Sequence, residues 1–175
     1  MPIKKRTPQP QSAATPATAS DTETRATSAH APDLRLWLRM LACTNLIEGE
    51  IRSRLRTEFD TTLPRFDLMA QLERVPQGLR MGELSRRMMV TGGNVTGITD
   101  QLVAEGLVVR EDNPLDRRAY IVKLTSEGRR AFRRMAEAHE KWIVAMMNGM
   151  DGPDRTELYR LLARLKSSAT AGSQR

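Results

Sequence analysis

The segment MGELSRRMMVTGGNVTGITDQLVAEGLVVREDNPLDRRAYIVKLT, residues 81–125, decides the fold of this 175-residue chain. Its first half predicts a short helix over 82–88 and, after a break, a second helix over 94–105. Apolar residues recur every three or four positions along the second helix, which indicates one buried face. Those apolar positions are Val95, Ile98, Leu102 and Val103. The other face carries Asn94, Thr96, Gly97, Asp100 and Gln101. That face is polar and short-chained, so it suits close approach by another surface.

The second half of the segment predicts a β-hairpin. Residues 107–111 and 120–124 alternate or are β-branched in the manner of strands. The turn-rich stretch 112–118 between them ends in Arg117 and Arg118, which gives the hairpin a basic tip. A helix, a tight turn, a second helix and then a hairpin is the order of elements in a winged helix-turn-helix.

Long helices are predicted on both sides of this segment. Apolar residues at helical spacing extend from 34 to 59, and Asp33 is expected to cap that helix. A helix of about 26 residues is about 39 Å long, more than the core of a small domain requires. Its surplus length indicates packing against a partner subunit. A shorter helix over 65–74 follows, Thr125 is expected to cap a second long helix, and a leucine-striped last helix comes after a break at 149–153.

The composition indicates a basic protein without a membrane anchor. The formal net charge is +7, which is expected of a nucleic-acid binder, although an acidic membrane surface would also suit it. Residues 1–31 contain few large apolar side chains and are expected to stay disordered as a basic, polar tail. No signal-peptide pattern and no run of about 18 apolar residues is present. We therefore expect a soluble, cytoplasmic protein with no membrane partner.

The sequence offers little for catalysis or metal binding. It contains one cysteine and two histidines, which are too few for a structural zinc site. Neither His30 nor His139 lies in a nucleophile or ligand motif. The glycines at 92, 93 and 97 lack the lysine of a phosphate-binding loop. We therefore expect that the chain is not an enzyme and uses no cofactor or metal.

Six short stretches, in this order and spacing, resemble the MarR family of bacterial regulators. They are PRF at 64–66, MGEL at 81–84, NVT at 94–96, LVAEGLV at 102–108, DRR at 116–118 and LTSEG at 124–128. Each stretch alone would be a weak signal, but together they cover about residues 33–170. The resemblance implies a mainly α fold with a small β-hairpin wing, in which dimerisation helices lie N- and C-terminal to a winged helix-turn-helix.

The resemblance also implies boundaries and partners. We expect a MarR-like domain over 32–170 and a frayed tail over 171–175. Within that domain the winged lobe spans 64–125, and helices in 32–60 and 126–170 hold a two-fold homodimer. Two-fold symmetry requires a palindromic or near-palindromic double-stranded DNA operator, with half-sites about one helical turn apart.

The second helix of the lobe would then read bases in the major groove. Asn94, Thr96 and Gln101 are the candidates, since Asn and Gln can pair with adenine and the Thr methyl can meet a thymine methyl. Many family members carry larger or basic side chains where Gly97 and Gln101 stand, so affinity would shift toward other contacts. The expected DNA-binding residues are Arg86, Arg87, Thr91, Asn94, Thr96, Gly97, Gln101, Arg117 and Arg118.

Two of these assignments have plainer alternatives. Thr91 and the amides of Gly92 and Gly93 would favour a phosphate at the helix N-terminus, or Thr91 is only a cap and the glycines only a turn. At the wing tip, Asp116 is expected to pair with Arg118 and preset the geometry with which an arginine enters the minor groove. The alternative is an ordinary solvated charge run.

The resemblance further implies a small-molecule effector, commonly an aromatic acid, bound between the dimer helices and the DNA-binding lobe. Arg65 is the candidate partner for a carboxylate, and Met69 and His139 are candidate pocket residues beside Trp37, Met40, Phe66 and Trp142. Ordinary core and interface packing is the alternative for each of them. One branch of the family senses peroxide through a cysteine in the first helix, but Cys43 lies later than that position. We therefore expect Cys43 to be buried and inert.

The function expected from the sequence is that of a sequence-specific transcriptional regulator. A repressor of nearby genes, released from DNA by a small-molecule ligand, fits the resemblance best. The alternative is a winged-helix protein-interaction module without sequence-specific DNA binding. A single-strand or RNA binder is disfavoured, because aromatic residues make up only 4% of the chain and none cluster as a platform on which bases could stack.

Overall fold

The computed structural model describes residues 31–88, 92–113 and 116–172. Six helices and three strands occur in these residues, in the mainly α arrangement expected. The helices are α1 (Pro32–Phe59), α2 (Leu63–Glu73), α3 (Met81–Met88), α4 (Gly92–Ala104), α5 (Ser126–Met146) and α6 (Gly152–Gly172). The strands are β1 (Leu79–Arg80), β2 (Val108–Asn113) and β3 (Asp116–Leu124). They form an antiparallel sheet in the order β1-β3-β2.

The chain divides into two compact units, residues 1–46 and 47–175. Residues 32–46 of the first unit belong to α1. Cys43 lies on this part of the helix and is exposed. The expectation of a buried cysteine is therefore wrong for this chain, since Cys43 contributes nothing to a core. No helix among the described residues is both long enough and apolar enough to cross a membrane.

The second unit has one hydrophobic core, to which both its helices and the short sheet contribute. Its fully buried members come from α1, α2, α3, α4 and β3: Leu55, Leu68, Leu84, Val95, Leu102 and Val122 are all 0% exposed. The α5 helix adds Met135 and Trp142 to this core. Burial of one apolar face of each helix fixes which of its faces is left for solvent or a partner.

The end of α4 and the start of α5 are joined closely at the base of the hairpin. Gly106 ends α4 in the left-handed conformation, with φ of 71°. The Thr125 hydroxyl accepts a hydrogen bond from the Gly128 amide at 2.9 Å, which confirms Thr125 as the cap of α5. A Cβ on Gly128 would lie 1.9 Å from the Leu107 carbonyl oxygen, so only glycine fits between these two backbones.

Several local predictions were wrong by a few residues. Asp33 lies inside the first turn of α1 and does not precede it. The glycines at 92 and 93 form the first turn of α4 and not a preceding turn, despite the low helix propensity of glycine. The strands of the hairpin run on to Asn113 and Asp116, which pair with each other, so Arg117 and Arg118 lie in β3 and not in a loop.

Candidate nucleic-acid interface

The α4 helix presents an exposed polar surface. The α4 polar face consists of Asn94, Thr96, Gly97, Asp100 and Gln101, and all five are exposed. On the opposite side Val95 and Leu102 are 0% exposed and Ile98 is 8% exposed. The predicted division of this helix into a buried and an exposed face is therefore confirmed.

A buried threonine on α4 was missed by the sequence reasoning. Thr99 is 0% exposed, and its hydroxyl donates a hydrogen bond to the Val95 carbonyl at 2.7 Å. The same hydroxyl lies 3.8 Å from the sulfur of Met81 on α3. Because this hydroxyl bonds back to its own helix, Thr99 can pack as an apolar residue would. Its position next to Ile98 and four residues after Val95 was the available signal.

Gly97 leaves an open position in the middle of the α4 polar face. A Cβ built there would meet nothing within 4 Å. Glycine inside a helix costs about 0.5–1 kcal/mol relative to alanine. Packing within the chain therefore gives no reason for glycine at this position, whereas close approach by another molecule would.

Two ion pairs tie α4 to neighbouring elements. Asp100 accepts a hydrogen bond from Arg110 of β2, with 2.5 Å between Oδ1 and Nη2. Glu105, directly after α4, pairs with Arg65 of α2. The first pair connects α4 with the hairpin, and the second connects the end of α4 with the start of α2. The C-terminal half of α4 is therefore held at two points, Asp100 and Glu105.

The arginines of α3 are exposed and differ in their partners. Arg87 pairs with Glu83 one turn earlier at 2.6 Å. The Nε of Arg86 lies 3.4 Å from the Gly82 carbonyl oxygen, a long hydrogen bond. The guanidinium of Arg86 is thus held less firmly, and it is better able to reach a phosphate.

Strands β2 and β3 form a hairpin, called the wing below, of which the structure describes residues 108–113 and 116–124 and only some of the side chains. Its two strands are joined by an ion pair, with 2.6 Å between Nζ of Lys123 and Oε2 of Glu111. The side chains of Asp116, Arg117 and Arg118 lie outside the described part of the structure, as does all of Thr91. The predicted pairing of Asp116 with Arg118 and the predicted cap at Thr91 stay predictions.

The three candidate ligand residues lie in different surroundings. Met69 is 1% exposed and belongs to the core. The guanidinium of Arg65 already binds the carboxylate of Glu105. His139 is half-buried in an aromatic cluster, with its ring centroid 5.1 Å from Phe66 and 6.4 Å from Trp142. Core packing accounts for Met69, while Arg65 and His139 keep some exposure.

Asp67 on α2 has a perturbed carboxyl group. Partial burial raises the pKa of Asp67, the negative charge of Glu48 on α1 raises it further, and His139 on α5 lowers it. The charges of Glu48 and His139 thus act on the Asp67 carboxyl in opposite directions. No group of His, Cys, Asp and Glu with the arrangement of a metal site occurs among the described residues.

Comparisons with known proteins identify relatives of the whole fold. The sequence pattern of the MarR family matches residues 59–119. The chain is 34% identical to a MarR family transcriptional regulator from Silicibacter pomeroyi, with a TM-score of 0.67 over 78% of this chain and 94% of that one. Sco3205, a MarR family regulator from Streptomyces coelicolor solved in complex with DNA, shares the fold at 23% identity, with a TM-score of 0.69 over 82% of this chain and 91% of that one.

A relative identified from sequence alone matches a shorter part of the chain than these structures do. Over 91 residues the chain is 30% identical to the HTH-type transcriptional regulator YkoM of Bacillus subtilis. This match includes 52% of the chain and 58% of YkoM, so the chain spans little more than half the length of that relative.

Proposed function

The chain belongs to the MarR family of transcriptional regulators, and we propose that it binds double-stranded DNA sequence-specifically through the α4 polar face. A transcriptional regulator is not an enzyme, in agreement with the sequence analysis. The relative Sco3205 is a regulator in complex with DNA. Its likeness supports DNA as the partner of this chain as well.

The observation that carries the proposal is the exposed, small and polar surface of α4. Asn94, Thr96 and Gln101 present amide and hydroxyl groups, which are suited to hydrogen bonds with base edges in the major groove. Gly97 in their midst lets the helix backbone come close to another surface. Arg86 and Arg87 on the adjacent α3, and the wing with Arg117 and Arg118, would bind the flanking backbone and minor groove.

A second copy of the chain is the proposed partner of the terminal helices, with dimerisation regions in 32–60 and 126–170. Along α6, Leu158, Leu161, Leu162 and Leu165 are 41–46% exposed. In the first unit Leu36 and Trp37 are more than half exposed. Contiguous apolar patches of this kind mark protein interaction sites. A two-fold dimer would match a palindromic operator.

A small-molecule effector and a repressor role complete the proposal. Arg65 and His139 are the candidates for contact with an acidic ligand, since both retain some exposure. An acid that binds Arg65 would compete with Glu105 and so loosen the contact at the end of α4. Because this contact holds the end of α4, we propose that binding of the ligand releases the protein from DNA.

The test is selection of double-stranded DNA from a random library, followed by affinity measurements at several salt concentrations. A sequence-specific regulator enriches one motif with two-fold symmetry and binds it at least about a thousandfold tighter than unrelated DNA. A protein-interaction module would enrich no motif, and its weak DNA binding would lack a steep dependence on salt. That second outcome would overturn the proposal.

A further inference from the structure

Asp100 is the only charged residue of α4 and lies on the α4 polar face. The helix sequence GGNVTGITDQLVA contains no basic residue and no other acidic one. The side chain of Asp100 is 56% exposed. A bare carboxylate on a surface that meets DNA would be repelled by the phosphates. Asp100 thus needs either a compensating cation or a specific partner on the DNA.

Arg110 supplies the compensating cation. Its Nη2 lies 2.5 Å from Oδ1 of Asp100, and its side chain is 30% exposed. A carboxylate accepts hydrogen bonds at both oxygens, so Oδ2 of Asp100 keeps its capacity while Oδ1 is bound to Arg110. Ion pairs between exposed groups contribute little to the stability of a fold, so stability alone does not explain this pair. Because Arg110 binds Oδ1, the charge of Asp100 is compensated and its carboxylate is oriented, and Oδ2 can accept one more hydrogen bond.

The position of Asp100 on the helix places this acceptor beside the open point of the surface. Gly97 precedes Asp100 by three residues, and residues three apart are neighbours on a helix surface. Because a Cβ at Gly97 would meet nothing within 4 Å, the helix surface next to Asp100 is open. A molecule that approaches closely at Gly97 brings its groups within reach of the Asp100 carboxylate.

We propose that Asp100 reads a cytosine in each half-site, with Oδ2 accepting a hydrogen bond from the cytosine 4-amino group while Arg110 holds Oδ1. The 4-amino group is the major-groove donor of a G·C pair, and Asp and Glu are the side chains suited to accept from it. Arg110 is a positioning residue in this arrangement, and it connects base reading by α4 to the wing. The inference rests on the proposed function, because it assigns one base to the same surface.

The test compares the motifs that Asp100 variants select from a random double-stranded DNA library. The wild type should select cytosine at one position of each half-site. Asp100→Ala should lose the preference for cytosine at that position alone. In the wild type this preference should correspond to an affinity about 5- to 150-fold higher for cytosine than for another base there. Asp100→Asn should prefer adenine there, because an amide pairs with adenine N6 and N7. Arg110→Ala should weaken the cytosine preference, and Arg110→Lys should restore part of it.

A matched control separates base reading from loss of charge. Glu50→Gln also removes a negative charge and the partner of an arginine, since Glu50 pairs with Arg54 on α1 at 2.6 Å. This variant should select the wild-type motif. If Asp100→Ala and Asp100→Asn select the wild-type motif at every position, the inference is wrong while the proposed function stands. If the wild type enriches no motif at all, the proposed function fails and the inference fails with it.

Discussion

Arg65 at the start of α2 forms an ion pair with Glu105, the residue that directly follows α4. The side chain of Arg65 is only 15% exposed and that of Glu105 is 45% exposed. The Nε of Arg65 is buried and has no hydrogen-bond partner among the described residues. The cation is therefore the more deeply buried member of the pair, and the carboxylate that compensates it comes from the residue directly after α4.

The two partners of this pair should respond unequally to substitution. Glu105→Gln leaves the guanidinium of Arg65 largely buried without its counter-charge, and should cost about 1–3 kcal/mol of unfolding free energy. Arg65→Met removes the charge and keeps much of the apolar stem, so it should cost less. Urea denaturation at one fixed protein concentration measures both. Glu127→Gln, in the well-exposed pair with Arg130, is the control and should change stability by less than about 0.5 kcal/mol. A larger loss for Arg65→Met than for Glu105→Gln would contradict this account of the pair.

Two glycines should respond to alanine in opposite ways. Gly97→Ala should stabilise the fold by about 0.5–1 kcal/mol, because the new methyl group meets nothing and helix propensity improves. The same variant should weaken DNA binding by about 5- to 150-fold, because a methyl group wedged into a close interface costs about 1–3 kcal/mol. Gly128→Ala should instead unfold or strongly destabilise the chain, because its Cβ would lie 1.9 Å from the Leu107 carbonyl oxygen. Unchanged DNA affinity of Gly97→Ala would show that no surface approaches closely at this position.

The helices were largely predictable from the sequence, and the exceptions have physical causes. The periodic apolar stripes located α1, α4 and α6, since an amphipathic helix requires that spacing. A strand as short as Leu79–Arg80 has no periodicity to detect, and it forms because β3 offers an edge for pairing. The starting glycines of α4 favour a turn by propensity, yet the rest of the helix extends through them.

The candidate site was predictable in its surface but not in its contacts. Helical spacing alone placed Asn94 and Gln101 on one exposed face. The partners of Arg65 and of Asp100 could not be read from the sequence, because these pairs join residues 40 and 10 positions apart across different elements. The exposure of Cys43 was equally hidden, since a single cysteine on a long helix has no pattern that fixes its burial.

The raised pKa of Asp67 predicts a pH-dependent effect of one substitution. Burial and the charge of Glu48 disfavour the ionised carboxylate in the folded state. A carboxyl whose folded pKa is raised adds stability at low pH, and this contribution is lost as the pH rises through the folded pKa. Asp67→Asn should therefore be more stable than the wild type at pH 7. The gain should disappear as the pH falls below the ordinary value of 3.8.

Carboxyl NMR titration of Asp67 provides the direct check of that explanation. The midpoint should lie above the ordinary value of 3.8 and should move down in Glu48→Gln, because that variant removes the repulsive charge. The effect on stability should be small, since the side chain remains partly exposed and solvent screens it. A midpoint below 3.8 would contradict burial and the Glu48 charge as the dominant influences on the pKa of Asp67.

The wing should contribute through charge and not through base sequence. Arg118→Ala should weaken binding to the selected operator and to unrelated DNA alike, and it should reduce the slope of log affinity against log salt by about one. Arg134→Ala on α5 removes the same charge from an exposed position outside the winged lobe and is the control. An unchanged slope together with unchanged affinity for Arg118→Ala would rule out the wing as a DNA contact.

We propose that the α4 polar face makes the base contacts. The most direct measurement is the affinity of Asn94→Ala/Gln101→Ala for the operator selected by the wild type, alongside its affinity for unrelated DNA. Two base contacts at about 1–3 kcal/mol each correspond to a loss of at least about 30-fold on the operator. The affinity of this variant for unrelated DNA and its unfolding free energy should equal those of the wild type. In the surface control Ser53→Ala/Thr57→Ala, the operator affinity, the affinity for unrelated DNA and the unfolding free energy should all be unchanged. Equal operator affinity for the α4 variant and the wild type would contradict the claim.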